Sequence, residues 1–222
     1  MKRVFIGVGH GGIDPGAVGT VVEEEANLTI ALEVKRILED NGIEVGISRT
    51  RDENDDINEE IREANAFKPD VAVEIHNNAG GGDGFEVYVQ TNYFANESQA
   101  CAQAIEKRVK AIGQQSRGIK TNSFGWTRLV NYPAVLLEGF FVDSKDAYDF
   151  DTAVEQKKLA LAYALGILDY FGITANLSAD NEVERAKKII AEKAGLEEKS
   201  IAYLQAYTWG DDLIKKLAAA MT

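Results

Sequence analysis

The sequence predicts an α/β fold: a mostly parallel twisted sheet flanked by helices, plus a small C-terminal all-helical appendage. Three observations predict it. Short apolar runs, rich in β-branched and aromatic residues as buried strands are, recur along the first 141 residues. Longer stretches with apolar residues three and four apart separate them. Strands that alternate with helices favour crossover connections and hence parallel strands. Beyond residue 180 only the helical spacing remains.

The first strand is marked by Val4, Phe5, Ile6 and Val8. It stops at Gly7-x-Gly9, and His10 follows at once. Gly11, Gly12, Pro15, Gly16 and Gly19 then exclude helix and strand alike. A histidine just past a strand, on a glycine-rich loop, sits where open α/β sheets place their ligands. A turn whose histidine is merely polar is the other reading of this stretch.

Residues 23–41 read as a helix with Leu28, Ala31, Val34 and Leu38 in helical register, closed by Gly42. Glu23, Glu24 and Glu25 stand in its first turn, where carboxylates suit the helix dipole. Residues 43–48 alternate as a second strand. Residues 54–66 read as a helix with Ile57, Ile61 and Ala64 on one face. Residues 70–76, DVAVEIH, form a third strand, with His76 at its end before Asn77, Asn78 and a run of three glycines. Residues 84–90 alternate as a fourth strand. Residues 97–112 read as a helix with Ala100, Ala104, Ile105 and Val109 inward. Residues 117–126 read as a loop. Residues 134–141, AVLLEGFF, are apolar but for Glu138, and residues 152–171 read as a long helix.

The chain divides into residues 1–173, a linker at 174–180, and a helical unit at 181–222. In the last, Val183, Ala186, Ile190 and Ala194 form one stripe. Ile201 and Leu204 mark a second helix. Asp211 is placed to cap a third, carrying Leu213, Ile214, Leu217 and Met221. From residue 176 onward there are eight acidic and seven basic side chains, so nearly all of the net charge of −12 belongs to the first unit. That sign argues against nucleic acid as a partner. A lone cysteine, Cys101, excludes an intrachain disulfide framework. No run is long enough for a signal peptide core or a membrane span. The expectation is a protein made in the cytoplasm without a signal peptide and without membrane insertion.

Only two histidines occur in the chain, His10 and His76. Both follow apolar strands, and parallel strands bring such ends to one edge. Neutral imidazole is the commonest zinc ligand, and a catalytic zinc needs three protein ligands. The glutamates at 23–25 offer the third; two structural histidines are the alternative. Glu138 interrupts a buried strand, which costs several kcal/mol (roughly) unless it is paired or at an edge. Burial raises a carboxylate toward neutrality, as a general base requires. A salt bridge to Lys120 or Arg128 is the competing explanation.

These residues, taken in order, resemble the zinc-dependent N-acetylmuramoyl-L-alanine amidases of bacterial wall remodelling and of phage and prophage endolysins. The resemblance rests on Gly9-His10-Gly11-Gly12 with Asp14-Pro15-Gly16-Ala17 and a glutamate before Asn27-Leu28. It continues through Ser48-Arg49 with Asp52, Arg62 with Ala64-Asn65, and Ile75-His76-Asn77-Asn78. Gly84-Phe85-Glu86-Val87 and Ala134-Val135-Leu136-Leu137-Glu138 complete it. It spans residues 2–171. It implies that His10, Glu23 and His76 bind Zn2+ and that Glu138 is the catalytic glutamate. Family spacing selects Glu23, with Glu24 one position away as the alternative. It implies hydrolysis of the amide between N-acetylmuramic acid and L-alanine, with the glycan strand and stem peptide of peptidoglycan as partner. Arg49 and Arg62 are expected to support the fold, and Asn77 and Asn78 either to bind substrate or to form the turn. The sequence departs from the family in having Glu74 where a small residue is usual, and Asn77-Asn78 after the histidine. After Glu138 it is closer to the lysins, which implies an endolysin that causes host lysis once released to the wall. No long inhibitory helix is expected between residues 90 and 118. The competing functions are a non-catalytic peptidoglycan-binding protein and a zinc-dependent wall-sugar deacetylase. In the helical unit, Tyr203, Tyr207 and Trp209 either stack on glycan, as in cell-wall targeting, or fill the small core or a homodimer contact.

Overall fold

The computed structural model describes residues 1–207 and 210–221. It separates into two compact units, Met1–Thr174 and Ala175–Thr222. The first is a six-stranded sheet covered by helices on both faces. Its strands are β1 (Arg3–Val8), β2 (Glu44–Ile47), β3 (Val71–Asn78), β4 (Phe85–Val89), β5 (Ser116–Thr121) and β6 (Ala134–Phe141), in the order β2-β1-β3-β6-β4-β5. Every neighbouring pair is parallel except β4 and β6, which are antiparallel.

Side chains alternate across a strand, and both faces are apolar here. On one face Phe5, Ala72, Ala134 and Leu136 meet Ile61 and Ala64 of α2 (Ile57–Phe67) and Trp126 of α4 (Gly125–Leu129). The other face carries Val4, Ile6, Val73, Ile75, Val135 and Leu137, all buried. Helices α1 (Glu23–Asp40), α3 (Ala95–Ala111) and α5 (Ala153–Phe171) pack together there.

Helix ends follow local chemistry. Asp56 caps α2 by accepting from the backbone N–H groups of Asn58 and Glu59, so this helix starts at Ile57 rather than at residue 54. Thr152 caps α5, and Gly172 ends it in the left-handed conformation. Several sequence expectations are corrected. Ile57 and Ala100 are exposed, and the buried face of α3 is Ser98, Cys101, Ala102, Ile105 and Val109. Residues 117–126 are not a loop: they hold most of β5 and the start of α4. As an edge strand β5 buries little, and its sequence SRGIKT shows no apolar alternation.

The second unit has α6 (Ser178–Ala194), α7 (Glu198–Gln205) and α8 (Gly210–Ala220). The last three positions of the expected linker are therefore helical. Val183, Ala186, Ile190, Ile201, Ile214 and Ala218 form its core. Ala194 and Leu213 are exposed, contrary to the stripe pattern, and Asp211 lies inside the first turn of α8 rather than capping it. Tyr203 and Tyr207 do not fill this core: they are exposed, with their hydroxyls 3.0 Å apart. Trp209 lies outside the described residues. Among the described residues no helix is long and apolar enough to cross a membrane.

Candidate active site

The site forms at the C-terminal edge of the parallel strands. Gly9 and His10 follow β1, His76 is near the end of β3, and Glu138 stands beside His76 in the β3–β6 register. A register shift between His76 and Asn78 marks a bulge there, a device that re-aims side chains beside active sites. The imidazoles of His10 and His76 lie edge to face with ring centroids 4.9 Å apart. Glu23, in the first turn of α1, completes the group. Its Oε1 is 3.0 Å from Nδ1 of His76 and 3.3 Å from Nε2 of His10. One ligand atom from each of the three residues lies within 4.8 Å of the others.

Glu23, not Glu24, is thus the glutamate that reaches the histidines. It is buried, and its Oε2 accepts from the Ala17 N–H and its Oε1 from the Asn77 N–H. Burial alone would raise its carboxyl, but hydrogen bonds with His10 and His76 outweigh this and hold it far below the usual range. Glu24 turns toward Arg49, and burial pushes its carboxyl up. The hydrogen bond with Glu23 raises His10 above its ordinary value. For His76, burial pulls down, but Glu23 and Glu74 raise it well above. An anion between two imidazoles that both favour protonation is the electrostatic pattern of ligands gathered for a cation.

The His10 loop is tightly braced. His10 has φ +65°, a left-handed conformation uncommon for a residue with a side chain. The Arg49 side chain is wholly buried; its Nε donates to the Val8 carbonyl and its Nη2 to the carbonyls of Gly9 and Glu24. Asn27 donates to the same Gly9 carbonyl and accepts from Asn77. Asp14 Oδ2 is 2.9 Å from Nδ1 of His10, and Asp52 accepts from the Gly12 N–H. Arg49 therefore supports the loop as expected. Arg62 is exposed and pairs with Glu59 along its own helix. Gly9 is required for a different reason: a β-carbon there would lie 2.2 Å from Nε2 of His76. Gly9→Ala is expected to displace that ring and weaken divalent-metal uptake about tenfold or more, as loss of ring-orienting contacts does; equilibrium dialysis checks it.

Glu138 faces a cavity of about 420 Å3 that it shares with His10, His76 and Glu74, walled by Ile57, Phe124, Trp126 and Leu136. Its Oε2 is buried without a hydrogen-bond partner among the described residues. Among the described residues Glu138 makes no salt bridge to Lys120 or Arg128: Lys120 pairs instead with Glu86, 2.6 Å away, as does Arg117. Burial raises Glu138 to about 7, with His76 opposing and the negative charges of Glu23 and Glu86 adding to it. Asn77 is buried and serves the site's frame rather than its surface. Asn78 lies within 3.5 Å of Glu86 and closes the turn by accepting from the Ala79 N–H.

Sequence reasoning missed three residues of this site. Asn27 was noted as a motif position without a role. Glu60 is buried under the cavity, its Oε1 accepting from the Val8 N–H and the Ser48 hydroxyl; a glutamate on a surface-patterned helix gives no sign of this. Trp126 was hidden in the presumed loop.

Known proteins share the sequence and fold of the first unit. A family described as N-acetylmuramoyl-L-alanine amidase matches residues 4–169. The sporulation-specific N-acetylmuramoyl-L-alanine amidase of Bacillus subtilis (strain 168) is 34% identical over 183 residues, covering 81% of this chain and 72% of that protein. The endolysin of Bacillus phage SPP1 is 38% identical over 154 residues, covering 65% and 56%. The solved catalytic domain of the amidase CwlV from Bacillus (Paenibacillus) polymyxa var. colistinus superposes with a TM-score of 0.73 at 33% identity. It covers 78% of this chain and 100% of that one.

Proposed function

This chain belongs to the N-acetylmuramoyl-L-alanine amidase family, and on that premise we propose that it is a zinc-dependent hydrolase of the bond between N-acetylmuramic acid and L-alanine in peptidoglycan. The observation that carries the reading is the meeting of His10, Glu23 and His76, with both histidines lining the cavity that Glu138 also lines. Two imidazoles and one carboxylate suit a catalytic zinc, which takes three protein ligands and leaves a position open. His10 Nε2, Glu23 Oε1 and His76 Nδ1 face one another and would hold it. When bound, zinc acidifies water and polarises the scissile carbonyl.

The chain's own residues do the rest. Glu138, raised to about 7, takes the proton of the attacking water and returns it to the departing amine of L-alanine. Its Oε2, without a hydrogen-bond partner among the described residues, has room for that proton. The wall of Ile57, Phe124, Trp126 and Leu136 limits bulk water around it. Asp14 orients the His10 ring.

The same reading takes the enzyme to be a phage or prophage endolysin. Its similarity to a phage endolysin supports this. Purified wall treated with the protein should release stem peptides beginning with L-alanine, and chelator should stop it. Released acetate would point to a sugar deacetylase instead, and wall binding without cleavage to a non-catalytic protein. Whole cells treated from outside should lose turbidity if the role is lytic.

Hydrolysis is assigned to Met1–Thr174, and the helical unit, with Tyr203 and Tyr207 at its surface, to wall targeting or self-association. A chain ending at residue 174 is expected to cleave a soluble muropeptide within about twofold of the full rate. Binding to sedimented wall, or the molar mass in solution, should change. A truncated chain that is folded but inactive on the muropeptide would place part of the catalytic machinery in the helical unit.

A further inference from the structure

The cavity that Glu138 lines carries more acid than the hydrolysis uses. Six of its lining residues are acidic, and none is Lys or Arg. Three of the six already have work: Asp14 pairs with His10, Asp56 caps α2, and Glu138 is assigned the proton transfer. Asp55, Glu60 and Glu74 remain.

Glu60 and Glu74 meet from helix and strand. Glu60 lies on α2, and Glu74 stands opposite Gly7 in the β1–β3 register. A β-carbon at Gly7 would run into Glu74 Oε2 and lie 3.1 Å from Glu60 Oε1, so the missing side chain lets the two acids approach. Glu74 has no exposure to solvent. Its Oε1 stands 3.3 Å from Nε2 of His76, and neither of its oxygens has a hydrogen-bond partner among the described residues. Asp55 Oδ2 is likewise buried without such a partner. Burial and the charges of Glu74 and Asp55 push Glu60 far above the carboxylate range. The charge of Arg49 is felt at Asp55, but its guanidinium is committed to backbone carbonyls. Buried acids without a counter-charge are destabilising, and a ligand that brings one relieves them.

The cavity also says what kind of cation fits. A metal ion needs its ligand atoms drawn together, and among the described residues only His10, Glu23 and His76 are so gathered. The spare acids are spread along a wall instead. Facing them are Ile57, Phe124, Trp126 and Leu136. Apolar walls with a few polar groups are the pattern of an organic ligand site. An alkyl chain ending in ammonium matches this one. The chain packs on the apolar side, aromatic faces attract the cation, and its three N–H donors meet acceptors that lack one. The stem peptide of peptidoglycan carries such a group on its diamino residue, free unless it is cross-linked.

We propose that the acid end of the cavity is a subsite for a primary ammonium on an alkyl chain, the free side-chain amine of the stem's diamino residue, held by Asp55, Glu60 and Glu74. The proposal rests on the amidase reading above and makes stems with a free amine the preferred substrates. Two soluble muropeptides that differ only in that amine, free or N-acetylated, test it on the full-length zinc-loaded protein. Acetylation should lower kcat/KM about tenfold or more, the scale of loss when a buried charge is left unpaired. The loss should fall chiefly on KM, as for an interaction made equally in ground and transition states. Asp55→Asn and Glu60→Gln should each shrink the preference.

A second readout needs no hydrolysis. The chain has two tryptophans, and Trp126 lines the cavity. Its indole N–H resonance, identified as the one kept in Trp209→Phe, should shift with Nα-acetyl-lysine amide and not with the Nε-acetylated form. Equal cleavage of both muropeptides overturns the proposal, leaves the amidase standing, and requires no variant to fold. Folded variants that keep the full preference overturn it too, as does an indole that ignores the amine or answers both probes alike. A shift caused by Mg2+ or Ca2+ that displaces the amine makes the acid end a metal site and also overturns it. A protein that cuts neither muropeptide, but whose indole answers the free amine alone, sinks the amidase chemistry and keeps the subsite.

Discussion

Glu138→Gln is expected to reduce wall digestion by about 10²–10⁴-fold, the usual share of a general acid–base group, while zinc stays bound at parental stoichiometry. Glutamine keeps the shape and cannot take a proton from water. The substitution should also make the metal-free protein more stable in alkali. Glu138 is raised from 4.5 to about 7 on folding, chiefly by burial. A carboxyl raised in this way binds its proton more tightly in the folded state. Its favourable contribution is complete below 4.5 and is lost as pH rises through about 7. Above that, the parent bears a buried ionised group that the variant lacks. The gain is at most about 3 kcal/mol, from the size of the shift. Thermal unfolding of both metal-free proteins at pH 4 and pH 8 checks it: the difference should appear at pH 8 and vanish at pH 4. Undiminished digestion by the variant would remove Glu138 from the chemistry.

Glu23→Ala should empty the site of metal. The substitution leaves His10 and His76 converging without the anion between them. Loss of one partner from a buried charged set costs about 3–5 kcal/mol, which is two to four orders of magnitude in zinc affinity at the same energy scale. Digestion should then fall to background at micromolar zinc. The parent should show a related pH dependence. Protons and zinc compete for His10 and His76, and the hydrogen bonds to Glu23 raise His10 and help raise His76 above 6.5. Zinc affinity should therefore begin to fall, on acidification, before pH 6.5 is reached. Isothermal titration of Glu23→Ala and of the parent across pH 5–8 measures both effects. Tight zinc binding by Glu23→Ala would mean that another group is the third ligand.

Much of this was legible in the chain because the relevant signals are local. An apolar run cut short by Gly7, Gly9 and His10 marks a strand end, and a second histidine after DVAVEIH marks another. Parallel pairing then brings both to one rim. Glu138 stood out because a charge in AVLLEGFF has no packing rationale. What escaped notice depends on long-range placement. Residues 116–121 gain their strand only by pairing with β4, and no apolar alternation announces it. The cations of that strand neutralise Glu86, so the partner expected for Glu138 was already taken. Arg49 could be expected to be structural, but not that its guanidinium would be wholly buried and satisfied by four backbone carbonyls, those of Val8, Gly9, Glu24 and Arg51. Ala100, Ala194 and Leu213 fit helical spacing and still face solvent, because periodicity gives a stripe and not its edges.

The order of the strands bears on how the molecule is born. The strand that lies between β3 and β4 is the last of the six to leave the ribosome. Until it emerges, two partial sheets, one of three strands and one of two, each present a bare edge, and such edges invite pairing with other chains. The same late strand brings Glu138. Sealing the sheet and acquiring the power to cut are one event, so nascent fragments that stop short of it are sticky but harmless to the wall of the cell that makes them.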